Sequence, residues 1–394
     1  MSDASLHAAW VALWALVGSL VGSFGNVVVY RWPRGLSVVW PRSACPHCRR
    51  TLGPLELVPV LSWLVQRGRC RGCGGGIALR YPLVEATMAV AFAAIAFAHP
   101  VAEAHWTALP LLALVAMLFM AALIDFDTYL LPDALTLPAA AVALLGAFLY
   151  APGRGLPTPD EALLGAAIAA GILVLINRLG ALVLRRFRDT RERLAPISLD
   201  TVNAAALAGM VGGLWAALVV GALQVLGSAL ARRPLRLPEP HLYALWALAL
   251  VAVGAGGLAE AWGVDLVAGL RGSLAGAGAF AGLGALWWWI AEWRSEDRRA
   301  PLEQAGEPQD DEEPVAMGFG DVKLALPLGA MLGWEAFLVG LLLAVLLGAV
   351  VGVAQRMLGG SRFVPFGPFM VIGGVAALLV ADPLIGWYLG LLGV

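Results

Sequence analysis

The chain has 394 residues, 60% of them hydrophobic and 13% charged, with a mean hydropathy of +0.81. A soluble domain carries about twice that charge fraction, so a soluble globular class is excluded and an all-α polytopic membrane protein is indicated. The net charge of −1 decides little, because orientation follows where the basic residues lie rather than their sum.

The first apolar run, Ala8 to Tyr30, is too long for the hydrophobic core of a cleavable signal and ends without a small-residue cleavage site. It reads as a retained anchor, and residues 1–30 form the first transmembrane element. Residues 31–82 follow as a polar loop domain in which Arg31, Arg34, Arg42, Arg49, Arg50, Arg67, Arg69, Arg71 and Arg80 face a single acid, Glu56. The positive-inside rule places this loop in the cytoplasm and the N-terminus outside. All four cysteines lie here, in CPHC (Cys45, Cys48) and CRGC (Cys70, Cys73). Two CxxC knuckles about twenty residues apart match a four-thiolate zinc site. Two disulfides or free thiols are the alternatives, and a reducing cytoplasm favours the metal.

Residues 83–152 form the next membrane block, with spans near Leu83–His99, Leu109–Ile124 and Ala134–Tyr150; the second delivers Asp125 to the cytoplasmic side. A fifth span, near Ala162–Leu184, returns to a basic loop holding Arg185, Arg186, Arg188, Arg191 and Arg193. The stretch Thr201–Leu230 is long enough to cross, but Arg232, Arg233 and Arg236 follow it at once. Basic residues at both ends place both ends in the cytoplasm, and Gly209, Gly212 and Gly213 offer a break midway, so it reads as a re-entrant element. Spans near Leu242–Trp262 and Leu270–Ile290, an acidic linker (294–314), then Asp321, a short apolar piece to Gly333 and spans near Phe337–Ala354 and Met370–Leu391 complete the chain. The expected fold is thus about nine transmembrane helices plus the re-entrant element and a small zinc-type loop domain built on the four cysteines. Two further blocks, 153–269 and 270–394, complete its division.

Two aspartates stand out: Asp125 in LIDFDTYLLPD and Asp321 in MGFGDVKLALPLG. A carboxylate near lipid depth is costly and normally faces a protein interior or watery cavity where it has work to do. Two carboxyls around one water cannot both ionise, which yields an acid and a base at one pH and suits peptide hydrolysis. Gly318 and Gly320 give the backbone before Asp321 freedom to approach an extended substrate. Asp127 and Asp133 are neighbouring alternatives, and Asp133 also suits the N-cap of the following span. Intramembrane carboxylates equally serve proton-coupled transporters. With no HExxH and five scattered histidines, a zinc protease or Ser-His hydrolase has little support.

Laid in order, GSFGNVVVYRWPRG (22–35), CPHC, CRGC, RYPLVEA (80–86), LIDFDTYLLPDALTLP (123–138), MGFGDVKLALPLGAMLG (317–333) and VPFGPF (364–369) resemble the prepilin peptidases, the type IV leader peptidase family of GxGD-type membrane aspartyl proteases. The resemblance implies Asp125 and Asp321 as the catalytic pair. It implies cleavage of a basic leader from type IV prepilins or pseudopilins after a glycine, at the cytoplasmic face of the inner membrane. It also implies methylation of the new N-terminus with S-adenosylmethionine, a function associated with the cysteine-bearing loop. The methyl-donor site is not identified by any residue, the lipid bilayer is the other expected partner, and no nucleic acid is expected. A peptidase without methylation, a transporter and a non-catalytic zinc-knuckle scaffold are the competing readings. The acidic run Asp310, Asp311, Glu312 and Glu313 suits a solvated linker better than a leader-docking patch. The chain departs from the family pattern between about Gly153 and Gly269. There DEALLGAAIAAG and LRGSLAGAGAFAG both resemble one family segment, as in a partial duplication, and the second is preferred because it leads into MGFGDVKL.

A topology reporter fused after Arg232 is expected to read cytoplasmic; an external signal there would overturn the re-entrant assignment.

Overall fold

The computed structural model describes residues 3–98, 108–149, 156–183, 197–231, 235, 239–255, 264–294, 318–359 and 364–392. The basic loop 185–193, Arg232, Arg233 and Arg236, and the acidic run 310–313 lie outside these residues. Eleven helices are described: α1 (Asp3–Arg31), α2 (Leu61–Val65), α3 (Arg80–Ala98), α4 (Ala108–Thr128), α5 (Asp133–Ala147), α6 (Pro159–Val183), α7 (Leu199–Leu230), α8 (Glu239–Gly254), α9 (Leu266–Arg294), α10 (Phe319–Met357) and α11 (Gly367–Leu392). Among the described residues, a 3₁₀ turn at Pro54–Glu56 and two isolated β-bridges are the only other regular structure. Eight helices are long and apolar enough to cross a membrane, while α5 and α8 are shorter apolar helices. The chain divides into two compact units, 1–130 with 299–307, and 131–298 with 308–394.

In the first unit α1 and α3 pack side by side, and α4 closes against both. Their contact is close because α1 presents glycines: a Cβ on Gly22 would come within 2.9 Å of the Glu85 Cα. Around this seam Met88, Phe92, Ala108, Leu112 and Ala116 form a buried cluster, with Trp14, Val17 and Val21 against it.

In the second unit two long helices are broken by glycines in the left-handed region. Gly213 interrupts α7 at φ 70°, ψ −167°, and Gly333 interrupts α10 at φ 74°, ψ 169°. Only glycine adopts such a conformation without steric cost. The breaks are folds rather than kinks. The Ala217 Cβ and the Ala205 carbonyl oxygen both lie within 3.2 Å of the point a Cβ on Gly276 would occupy. Twelve residues of straight helix would separate them by about 18 Å. The two arms of α7, about 14 and about 17 residues, are each shorter than the ~30 Å hydrocarbon core at 1.5 Å per residue. α7 is thus a helical hairpin turned at Gly213. In α10 the fold brings Gly340 and Leu328 against the same residue of α11, Gly374. The sequence reading expected the short piece ending at Gly333, but not this reversal.

The packing of these helices repeats itself. Gly165 and Gly171 of α6 have the spacing of Gly272 and Gly278 of α9. The N-cap Ser198, Gly209 and Gly213 have the spacing of the N-cap Gly318, Gly329 and Gly333. A Cβ on Gly165 would meet the Gly329 oxygen and the Gly333 Cα; one on Gly272 would meet the Gly209 oxygen and the Gly213 Cα. Where α6 crosses α9, a Cβ on Gly171 would strike the Leu274 oxygen, and one on Gly278 the Ala167 oxygen. Ala167 and Leu274 hold the same place in the two helices, so the contact is isologous, as in a two-fold dimer. The helix packed along Gly329–Gly333 of α10 is therefore α6, whereas α9, which leads into α10 in sequence, packs on α7 and α6.

Backbone contacts this close leave no room for a side chain. Gly278→Leu is expected to destabilise the protein by at least about 1–3 kcal/mol, the usual cost of overpacking. Gly386→Leu, at a site with nothing within 4 Å of a Cβ, should leave thermal unfolding in detergent unchanged.

Candidate active site and metal centre

The four cysteines come together in the loop between α1 and α3. Their sulfurs all lie within 4.8 Å of one another, and the Cys45 and Cys73 sulfurs are 3.9 Å apart. A tetrahedral tetrathiolate ion with metal–sulfur bonds of about 2.3 Å requires sulfur separations just under 4 Å, so the donor set fits such an ion. Both knuckles are built alike. The Arg49 N–H donates to the Cys45 carbonyl and the Cys45 N–H to that of Arg50; Gly74, Cys70 and Gly75 repeat this pattern. The tight turn needs a positive φ, found at Arg49 (55°) and Gly74 (71°). Backbone N–H groups of Cys73 and Gly72 pull the Cys70 thiol down to about 6. The Gly75 N–H acts the same way on Cys73, but burial and the neighbouring thiols push that group up to about 11. A thiol at about 6 is a thiolate at neutral pH, which is the form a metal takes.

The loop is tied down by carboxylates. Glu56 accepts from the Arg50 guanidinium at 2.5 Å and from the Gly53 N–H at 2.9 Å. Glu85 of α3, 8% exposed, accepts from the Val60 N–H at 2.6 Å, at a residue held at φ 60°.

Asp125 lies in the last turn of α4, a helix whose buried stripe includes Leu111, Leu114, Leu118, Ala121 and Ile124. It is 5% exposed. Tyr129 ends the helix at φ 57°, donating its N–H to the Asp125 carbonyl. Two residues after Asp125, Asp127 receives both guanidinium nitrogens of Arg80 at 2.7 Å each. Asp127, the secondary candidate in the sequence, is thus half of a bidentate ion pair between α4 and α3.

In the second unit Asp321 sits in the first turn of α10 and is 9% exposed. A carboxylate there faces the positive end of the helix dipole. Gly318 is the N-cap with φ −70°, ψ 148°, a conformation open to any residue. The glycines therefore serve proximity rather than unusual dihedrals. A Cβ on Gly320 would press to 3.1 Å from the Leu131 Cβ. Asp133 is not the N-cap of α5 but its first residue, after Pro132. Its carboxylate pairs with Lys323, two residues beyond Asp321.

Arg80, Glu85 and Lys323 are not singled out as site residues by the sequence, whereas Asp133 stands there as an alternative to Asp125. One signal was available: Lys323 is the sole lysine of a chain with twenty-five arginines.

A helical membrane protein with buried carboxylates at two helix ends and a four-thiol cluster in its loop is the class these features define. Models of two protein families match: the bacterial peptidase A24 N-terminal domain over 16–99, and the type IV leader peptidase family over 112–187 and 233–353. The chain belongs to the type IV leader peptidase family. It is 28% identical over 401 residues, 95% of its length and 92% of the relative's, to the prepilin leader peptidase/N-methyltransferase of Aeromonas hydrophila. It is 41% identical over 155 residues, 39% of its length and 44% of the relative's, to the protein of that name in Myxococcus xanthus. To the type 4 prepilin-like proteins leader peptide-processing enzyme of Escherichia coli O78:H11 it is 33% identical over 234 residues, 53% of its length and 85% of the relative's. No solved structure matches. The family match passes over 188–232, the stretch that holds α7.

Purified protein is expected to carry one thiolate-bound divalent ion, and Cys45→Ser to lower metal content at least tenfold by elemental analysis. The depressed Cys70 thiol makes retention fall as pH drops through about 6 and below, because protonation competes with the metal.

Proposed function

We propose that this protein is a membrane aspartyl endopeptidase that removes the leader from type IV prepilins or pseudopilins after a glycine, at the cytoplasmic face of the inner membrane. It then methylates the exposed amine. The observation that carries this reading is family membership over half the chain, joined to full-length similarity with a prepilin leader peptidase/N-methyltransferase. The burial of Asp125 and Asp321, each at the end of an apolar helix, supports their assignment as the acid–base pair.

In this mechanism one carboxylate takes a proton from water while the other, protonated, donates to the scissile amide. Mutual repulsion keeps one proton on the pair. The hydroxide so formed adds to the carbonyl carbon, the C–N bond breaks, and the amine leaves with the donated proton. A prepilin is an apolar helix with a basic leader, so its scissile bond lies at the membrane surface.

Cys45, Cys48, Cys70 and Cys73 would hold a zinc ion, which supplies a structural cross-link between the two knuckles. The methyl donor implied by the relatives' names is S-adenosylmethionine. The four thiols suit a metal rather than a sulfonium nucleotide, so no residue is assigned to it and no step is derived through it.

The test incubates purified protein and its Asp125→Asn and Asp321→Asn variants with a synthetic prepilin and reads product masses. The parent should give a cleaved, methylated product, and each variant should lose cleavage by about 10³-fold or more. Unchanged cleavage in either variant would remove that residue from the mechanism. Cleavage without the methyl increment would leave a peptidase alone.

A further inference from the structure

We infer that Arg80 and the Asp133–Lys323 pair are positioning residues, which clamp the far sides of the two helix ends that carry Asp125 and Asp321. The inference rests on the assignment of those aspartates proposed above.

Each clamp sits two residues beyond an aspartate. Two helical residues turn the side chain by about 200°, to the opposite side of the helix. Asp127 therefore points away from Asp125, and Arg80 of α3 holds it with a planar two-bond fork. Lys323 points away from Asp321 and is held by Asp133 of α5. A helix fixed on its outer side cannot roll its inner side out of register. Both charges of the second clamp are largely buried, at 15% and 16% side-chain exposure, which makes either one costly to leave alone. The chain's sole lysine stands there, a compact ammonium in place of a planar guanidinium fork.

The molecule holds its own control. In the repeated packing, α7 stands where α10 stands, with Ser198 for Gly318, Gly209 for Gly329 and Gly213 for Gly333. The same spacing puts Thr201 in the place of Asp321 and Asn203 in the place of Lys323. Asn203 is 8% exposed, and its amide nitrogen has no hydrogen-bond partner among the described residues. Where the carboxylate is gone, the clamp is gone too, although the broken helix and its glycine contacts remain. A clamp needed only to hold the helix would have been kept in both copies.

The experiment uses full-length protein and a synthetic prepilin, with kcat and KM measured separately and folded fraction followed by thermal unfolding in detergent. Arg80→Gln and Lys323→Met are expected to lower kcat about 10- to 100-fold, the scale of a misplacement near 1 Å. KM should stay within about twofold. Arg80→Gln with Asp127→Asn should be no slower than Arg80→Gln alone, since each removes the same pair. Arg80→Lys and Lys323→Arg, which keep the charge and change its shape, are read alongside in case loss of charge prevents folding; they should lose kcat in the same direction. Asn203→Ala should remain within twofold of the parent. A kcat within twofold of the parent in Arg80→Gln and Lys323→Met, or a fall wholly matched by loss of folded protein, overturns the inference. If Asp125→Asn and Asp321→Asn still cleave, the functional reading fails instead, whatever the clamp variants do.

Discussion

A charge removed from water must find a partner, or its solvation cost falls on the fold. Three carboxylates held against neighbouring elements follow that rule here. Glu85 stabilises the Val60 turn, Arg80 meets Asp127, and Lys323 meets Asp133. The pairs differ in what they contribute to stability. Arg80 remains 43% exposed at the side chain, so screening by water leaves it small energetic weight and mainly geometric value. The Lys323 pair is more enclosed, and losing one partner there would strand the other.

The second constraint is the close approach of helix backbones. With lipid outside, burial of apolar surface gives little drive for helices to associate, and contact quality has to supply it. Glycine supplies it here at Gly165, Gly171, Gly209, Gly272 and Gly278, where an added Cβ would meet backbone atoms of the neighbouring helix. The positive-φ glycines Gly213 and Gly333 do different work, reversing a helix within a single residue. Together they let one arrangement of helices be built twice, with the Asp321 end kept in one copy and Thr201 in the other.

These features set the division of labour in the proposed enzyme. The cysteine loop is a small preorganised cluster whose knuckles are closed by backbone hydrogen bonds and whose edges are held by Glu56 and Glu85. The two aspartates sit on separate helix ends, each with an ion pair two residues further along its helix. Chemistry that depends on carboxylate placement gains more from such pairs than from additional buried surface.

Amino-acid order alone determined the helical membrane class, the four-thiol cluster and the break within Thr201–Leu230, and it singled out Asp125 and Asp321, which are both buried. Each of these is written locally, in run length, in CxxC spacing, or in glycines inside an apolar stretch. Only the tertiary structure decided that α6 rather than α9 lies along α10, because both carry the same glycine spacing and the choice is made by backbone contact. It also decided the partners of Asp127 and Lys323, which are 47 and 190 residues distant in sequence. Pattern along a chain records which groups must be paired; it does not record which distant group folding will bring.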